Sequence, residues 1–229
     1  MEHFSWMQLI PGVGHKYAHV ATIALASLIS ILLGLYARVV LGSGEAAVIP
    51  SNKFSVRGCF EGILEFIVNL SEMVMGHDGK KYAPIFASIF VFILVNNLIG
   101  LLPGMVPATA NLNTTFALGI FSFAMYHVYG VQEHGFAYIK QFMGPMLLLA
   151  PFMFCVELIS HMVRPLSLGL RLMGNLQGDH AVLSIFLDLV PIGLPVVFYL
   201  LGLFVCFMQA FIFTTLSMAY IAMATAHDH

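Results

Sequence analysis

Two apolar segments in the last third of the sequence are too long to cross a membrane in the ordinary way. At 1.5 Å per residue, residues 145–189 would form a helix of about 68 Å and residues 192–225 one of about 51 Å. The hydrocarbon core of a bilayer is only about 30 Å thick. Each segment therefore contains a break, or the two are strongly tilted helices joined by a turn around Pro191, Gly193 and Pro195. We expect the tilted hairpin, because it presents one long face to a partner.

The composition excludes a water-soluble domain. Hydrophobic residues make up 60% of the 229 residues and charged residues 9%, whereas about 45–50% and about 25% are usual in soluble domains. Nine Lys and Arg against eleven Asp and Glu leave no basic surface for nucleic acid. We predict an all-α integral membrane protein with one membrane domain over residues 1–229. Polar side chains inside the apolar segments are the expected functional groups, because each costs free energy to bury in lipid.

Three shorter segments predict further membrane-embedded helices. Residues 17–41 form a long apolar run, and residues 85–102 and 114–131 form two more. Residues 77–84 (HDGKKYAP) have the composition of a polar connector. Together with the C-terminal hairpin, these runs give about five membrane-embedded helices.

Residues 54–76 predict a helix of a different kind. Arg57, Glu61, Glu65 and Glu72 fall within an arc of about 80° on a helical wheel, and the opposite face is apolar. This pattern is typical of an amphipathic helix that lies at the membrane surface or packs against other spans.

The positive charges predict the orientation of the chain. Cationic residues surround the second predicted helix and follow the fourth, whereas residues 103–113 contain no Lys or Arg. By the positive-inside rule, the N-terminus lies outside and the first loop lies in the cytoplasm. The charges that carry this prediction are Lys53, Arg57, Lys80, Lys81 and Lys140.

A polar stripe runs along the first of the two overlong segments. Six polar residues within 23 positions fall within about 40° of Glu157 on a helical wheel, although Pro165 is expected to kink the helix. A structural network in which Glu157 pairs with Arg164 is one interpretation, and a functional surface is the other. The members of the stripe are Glu157, His161, Arg164, Arg171, Asn175 and Asp179.

Arg171 is the residue on this stripe that most favours a functional role. A guanidinium cannot lose its charge to enter the membrane, and its sequence neighbours are both leucines. The nearest acids on the stripe are Asp179, eight residues on, and Glu157, fourteen residues back. We therefore predict that another polypeptide supplies the missing carboxylate.

Other polar residues allow two interpretations each. His180 follows Asp179 directly, and this pair suits proton transfer at the end of a span, although an interfacial histidine can also be merely solvated. Gln209 is the one amide in the last segment, where an interhelical hydrogen bond is the alternative explanation. The three cysteines are widely spaced, so no metal site is expected.

Four blocks of sequence closely resemble subunit a of the bacterial F-type (rotary) ATP synthase. The likeness covers roughly residues 80–229 in order, and residues 1–79 fit that family by layout more than by motif. The RLMGN element followed some 35 residues later by QAFIF is the most specific part of the likeness. The four blocks are ELISHMVRPLSLGLRLMGN at 157–175, QAFIFTTLSMAYIAMA at 209–224, NNLIGLLPG at 96–104 and ANLNTTFALG at 110–119.

The resemblance implies a stationary, non-catalytic subunit of the proton-driven rotary complex in the bacterial inner membrane. Its two tilted helices would face a rotating ring of c subunits, and two offset half-channels would carry protons to and from a ring carboxylate. The b-subunit peripheral stalk, membrane lipid and protons are the other implied partners, and no cofactor is implied. The N-terminus would be periplasmic and the C-terminus cytoplasmic.

The resemblance also implies roles for individual residues. Arg171 matches the essential arginine that separates the half-channels, with Asn175 and Gln209 close to it. Glu157 matches a half-channel carboxylate and His180 a variable relay position.

Two family positions differ: Gly202 stands where some members carry a relay His or Glu, and Gly100 where some carry an acid. Asp179 is then the expected partner of His180, and the expected half-channel lining is Asn96, Asn97, Asn111, Asn113, His161 and Arg164.

Three other classes of function are less favoured. A self-contained ion channel or secondary transporter is the main alternative, but the two halves of the sequence show no inverted repeat. The ten histidines do not form the pairs on one helix face that a haem subunit would need. No GxxxxGK[ST] element occurs, so direct nucleotide binding is not expected.

Overall fold

The computed structural model describes most of the chain, and every described element is a helix. Among the described residues there are six α-helices, and five of them, all except the second, are long and apolar enough to cross a membrane. The prediction of an all-α integral membrane protein is therefore confirmed. The described residues are Trp6, 18–42, 55–135, 138, 150–189 and 193–226. The helices are α1 (Ala18–Leu41), α2 (Val56–Met75), α3 (Gly79–Gly100), α4 (Leu112–His134), α5 (Ala150–Leu189) and α6 (Leu194–Thr225).

The two overlong segments form continuous helices. Helix α5 has 40 residues and α6 has 32, or about 60 Å and about 48 Å. Pro165 lies inside α5 without ending it, so the alternative of a hidden break is wrong for the described part of both segments. Gly193 precedes α6 with φ of 89°, a value that favours glycine. The predicted starts of the two segments, at 145 and 192, lie outside the described residues.

The prediction of a polar connector over residues 77–84 is wrong. Helix α3 begins at Gly79, and only a short 3₁₀ turn, Gly76–Asp78, separates it from α2. Both lysines belong to the first turn of α3, where Lys80 pairs with Glu72 of α2 at 2.7 Å. Ser71 also donates a hydrogen bond to the Gly79 carbonyl at 2.7 Å. The side chains that resemble a loop in the sequence therefore join the two helices.

Helix α2 packs against other helices, as one of its two interpretations requires. It lies against α1, α3 and α6, and Ile67 and Ser71 are fully buried. On its charged side Arg57 pairs with Glu61 at 2.6 Å. The two cations that complete the orientation argument, Lys53 and Lys140, lie outside the described residues.

Small residues let α4 and α5 approach each other closely. The backbone of Gly169 lies against Thr115 so tightly that a side chain there would begin 3.1 Å from the Thr115 carbonyl oxygen, and Gly119 lies against the Pro165 carbonyl. Ser122 of α4 and Ser217 of α6 form a buried hydrogen bond of 2.8 Å. Small and hydroxyl residues at crossings are typical of helix packing in membranes, where burial in lipid supplies no driving force. This packing fixes the position of α5, which carries the polar stripe.

Candidate functional site

The polar stripe of α5 divides into three levels along the helix. Arg171 lies in the middle, Arg164 about 10 Å towards one end and Asp179 about 12 Å towards the other. Helices α4 and α6 and the loop before α4 all contact α5, and the residues beside the three levels differ.

The middle level presents a cation to the outside of the molecule. Arg171 and Asn175 are both exposed. Within the described part of the chain, the Arg171 guanidinium forms no ion pair or hydrogen bond. The structure is thus consistent with a counter-ion that comes from another chain.

Gln209 lies beside Arg171 on the facing helix. The Gln209 side chain is buried, with 7% exposure. It borders a cleft of about 10 Å³, which has room for about one water molecule. The structure therefore brings Arg171 and Gln209 together across the α5–α6 interface. The cleft is lined by Leu168, Arg171, Leu172, Gln209, Ile212 and Phe213.

The second level surrounds a polar cavity of about 160 Å³, which we name the tyrosine cavity. It has room for several water molecules. Its walls combine one carboxylate, one guanidinium, one imidazole and two phenols. The lining residues are Tyr126, Tyr138, Glu157, His161, Arg164, Met223 and Ala224.

The ion pair between Glu157 and Arg164, which one interpretation of the polar stripe requires, does not form between these two described residues. Arg164 instead lies 5.3 Å from the ring centre of Tyr220 and 5.9 Å from that of Tyr126, within the range of cation–π attraction. Glu157 is close to His161, whose Nδ1 lies 3.5 Å from the carboxylate Oε1 and 2.8 Å from the backbone carbonyl. The carboxylate and the guanidinium therefore both keep access to the cavity.

Three residues of this level were missed by the sequence analysis. Tyr126 and Tyr138 line the cavity, and the Tyr138 hydroxyl is 2.9 Å from Nδ1 of His127. Burial raises the pKa of Tyr138, with the Arg164 charge opposing this effect, so the phenol stays protonated at neutral pH. The signal in the sequence that could have identified the tyrosines is an aromatic residue with a hydroxyl group near the end of an apolar span.

The third level places the Asp179 carboxylate against a glycine of α6. A side chain at Gly202 would begin 2.8 Å from Asp179 Oδ2 and 2.8 Å from Leu101 Cδ2. His180 is the next residue of α5. On the same part of α5, Gln177 donates a hydrogen bond to the Ala110 carbonyl at 3.0 Å. This level therefore adjoins the loop between α3 and α4.

Three of the four asparagines predicted to line a half-channel form hydrogen bonds within the chain. Asn97 is fully buried, donates to the Cys206 carbonyl at 3.3 Å and accepts from the Thr109 hydroxyl at 2.8 Å. Asn96 is also buried and donates to the Phe92 carbonyl. Asn111 accepts a hydrogen bond from the backbone N–H of residue 113 and so caps α4. Asn113 itself is exposed.

Close packing against Pro107 explains the glycine at position 100. A side chain there would begin 2.6 Å from the ring of Pro107, and the residue is buried. An acid at this position does not fit the observed packing of the loop against α3.

Comparisons with known proteins agree on one family. A family model described as the ATP synthase A chain matches residues 6–222. A Bdellovibrio bacteriovorus protein named ATP synthase subunit a is 59% identical over 99% of both chains. A Syntrophotalea carbinolica protein named ATP synthase subunit a 1 is 41% identical over 100% of this chain and 95% of its own length. A Geobacter sulfurreducens protein named ATP synthase subunit a is 47% identical over 74% of each chain.

Proposed function

Since this chain belongs to the family of F-type ATP synthase subunit a, we propose that it is the non-catalytic, proton-translocating stator subunit of the membrane sector. It forms two half-channels that carry protons to and from a carboxylate on a ring of c subunits. Arg171 separates the half-channels, so a proton crosses only when the ring turns. Proton flow is thereby coupled to rotation and to ATP synthesis elsewhere in the complex.

The exposed, unpaired guanidinium of Arg171 is the observation that carries this proposal. Nothing in the described part of the chain neutralises it, and a permanent charge in an apolar span favours an ionised carboxylate nearby. At an effective dielectric constant of about 20, two unit charges 4 Å apart attract each other by about 4 kcal/mol. This attraction favours deprotonation of a ring carboxylate without holding the ring in place.

Two further observations support separate half-channels. The tyrosine cavity lies at the level of Glu157 and Arg164, and the Asp179 level lies on the other side of Arg171, beside the loop between α3 and α4. Glu157 and His161 serve the first half-channel, and Asp179 and His180 serve the second. Asn175 and Gln209 lie close to Arg171 and bind water where protons are exchanged with the ring.

The proposed setting is the bacterial inner membrane. The described part of the chain has five helices suited to crossing a membrane, and five crossings with a periplasmic N-terminus give a cytoplasmic C-terminus. The Asp179 level then opens to the periplasm and the tyrosine cavity to the cytoplasm. The overlong hairpin of α5 and α6 faces the c ring, and the b-subunit peripheral stalk holds this subunit in place within membrane lipid.

Arg171→Ala in the assembled complex tests this function. We expect ATP synthesis driven by a proton gradient to be abolished, because the half-channels are then no longer separated by a fixed charge. Recovery of all subunits in the purified complex shows that assembly is intact. Arg38→Ala, which removes an exposed arginine at the end of α1, serves as the matched control and retains synthesis.

Normal coupled synthesis in the Arg171→Ala complex would contradict the proposal. Proton flux through the purified chain alone in liposomes would instead support a self-contained channel or transporter. The proposed function expects flux only when the c ring is present, because no single half-channel crosses the membrane.

A further inference from the structure

Arg164 and Glu157 are placed as the partners of an ion pair would be, yet these two described residues form none. They lie seven residues, or about 10 Å, apart along α5 and on the same face of the helix. Side chains in a helix lean towards its N-terminus, so the long side chain of Arg164 leans towards Glu157. Both residues line the tyrosine cavity, whose open volume the guanidinium could enter. Another contact must therefore hold the guanidinium away from the carboxylate.

Two tyrosine rings, which we name the aromatic pair, make this contact. The guanidinium carbon of Arg164 lies 5.3 Å from the ring centre of Tyr220 on α6 and 5.9 Å from that of Tyr126 on α4. The two ring centres are 6.4 Å apart. A cation within about 6 Å of an aromatic ring centre is attracted to the ring face, and more strongly where water is excluded. Arg164 is half-buried, so the aromatic pair is a binding place for its guanidinium.

The positions of the two rings are fixed by the helices that carry them. Tyr126 is 1% exposed, and its ring packs edge-on against Phe123 with the ring centres 5.3 Å apart. Tyr220 packs against the hydrophobic core. About one turn before each tyrosine, Ser122 and Ser217 join α4 to α6 by a buried hydrogen bond of 2.8 Å. The packing of α4 and α6 therefore places the rings, and the guanidinium follows them.

We propose that Tyr126 and Tyr220 are positioning residues, which hold the Arg164 guanidinium away from Glu157 and so keep the carboxylate able to exchange protons in its half-channel. This inference rests on the proposed function, in which Glu157 serves the half-channel of the tyrosine cavity. It adds to that function a role for one aromatic residue on each of the two helices that face α5.

The effect on proton exchange follows from the charge of the guanidinium. A Glu157 oxygen gains a proton when a hydronium ion in the cavity becomes water, and the reverse step returns the proton. A guanidinium beside the carboxylate favours the ionised form, so a paired Glu157 would take up a proton only at a lower pH. The titratable groups that face Glu157 and Arg164 are His161 on α5, Tyr126 and His127 on α4, Tyr138 after α4, and Tyr220 on α6.

Substitutions at Tyr220 in the assembled complex test the proposal. The measurement is passive proton flux through the membrane sector of vesicles as a function of pH. Tyr220→Leu removes one ring of the aromatic pair, whereas Tyr220→Phe keeps the ring face and loses only the hydroxyl. Tyr199→Leu is the matched control, because it makes the same change on α6 about 32 Å along the helix from Tyr220.

We expect Tyr220→Leu to release the guanidinium, which then pairs with Glu157. The pH at which the flux is half of its maximum should fall by about half a unit or more. Above that pH the flux should fall about threefold or more, the equivalent of this shift. Tyr220→Phe and Tyr199→Leu should keep the original midpoint. Recovery of the complete complex shows that each variant is assembled.

The decisive result is the double variant Tyr220→Leu with Arg164→Gln. Without the guanidinium nothing new can pair with Glu157, so the midpoint should equal that of Arg164→Gln alone. A merely structural role of the ring predicts the same loss of flux in both backgrounds. If Tyr220→Leu does not assemble, Tyr220→Met takes its place, because it fills more of the volume and also lacks a ring.

Three results would overturn the inference. They are an unchanged midpoint in assembled Tyr220→Leu or Tyr220→Met, a midpoint in Tyr220→Phe as low as in Tyr220→Leu, and an equal shift in the Arg164→Gln background. Failure of the proposed function is recognised separately, by an unaltered complex that conducts no protons or by coupled synthesis in Arg171→Ala. If those two tests succeed and the midpoint of Tyr220→Leu is unchanged, only this inference is wrong.

Discussion

At the scale of single residues, the sequence shows which charged side chains lie inside apolar segments. It does not show which other side chains surround them. Arg171 is conspicuous because a permanent cation in an apolar run has few explanations. The two phenols of the tyrosine cavity are inconspicuous, since Tyr126 and Tyr138 become part of a site only through the packing of α4 against α5. Likewise, no spacing rule indicates that Arg164 lies over aromatic rings and not beside Glu157.

Glu157→Gln tests the tyrosine cavity at this scale. Glu157 is the one carboxylate that lines the cavity in the described structure, and glutamine keeps its size but cannot exchange protons. We expect passive proton flux through the membrane sector to fall severalfold, with assembly unchanged. Glu133→Gln, an exposed acid at the end of α4, is the control. Equal flux in the two variants would show that the cavity takes no part in conduction.

At the scale of the elements, the existence of the helices could be predicted and their contacts could not. Long apolar runs require helices in lipid because every backbone group must be hydrogen-bonded within the segment. Residues 77–84 were wrongly predicted as a connector because charged residues are usual in loops. Lysines at a helix end can keep their charges near water, and Lys80 also pairs with Glu72. The crossings depend on small residues, such as Gly119, that carry no periodic signal.

Gly119→Ala tests the crossing of α4 and α5. The new methyl group would overlap the carbonyl oxygen of Pro165, a backbone atom that moves only if the helices separate. Overpacking of this kind costs about 1–3 kcal/mol. We expect a lower thermal stability of the purified complex and less subunit in the membrane. Gly62→Ala, at a helical position with open space around it, should leave both measurements unchanged or slightly raised. Equal stability of the two variants would refute the tight crossing.

At the scale of the whole molecule, the contacts of Trp6 agree with the predicted orientation. The Trp6 backbone N–H donates to the Gly104 carbonyl at 2.9 Å, and the indole N–H donates to the Pro103 carbonyl at 3.1 Å. Trp6 and the loop after α3 therefore lie at one end of the helices. The sequence predicted this arrangement from the positions of its lysines and arginines, but it could not show that Trp6 contacts the loop after α3.

Labelling of single cysteines tests the orientation. In a cysteine-free background, Asp78→Cys and Val106→Cys place thiols at exposed positions near opposite ends of α3. A membrane-impermeant thiol reagent should label Val106→Cys from the periplasmic side and Asp78→Cys only from the cytoplasmic side, in inverted vesicles. Labelling of both from one side would contradict a membrane-crossing α3. Reversed sides would contradict the periplasmic N-terminus.

The outward-facing guanidinium of Arg171 also has a consequence for biogenesis. An arginine at the centre of a membrane helix costs about 2.5–3.5 kcal/mol on insertion scales, which corresponds to roughly a hundredfold in an equilibrium constant. A free copy of this chain bears that cost, whereas in the proposed complex the carboxylates of the ring offset it. The residue that we propose to separate the two proton routes would thus also disfavour copies in the bilayer that are not bound to a ring.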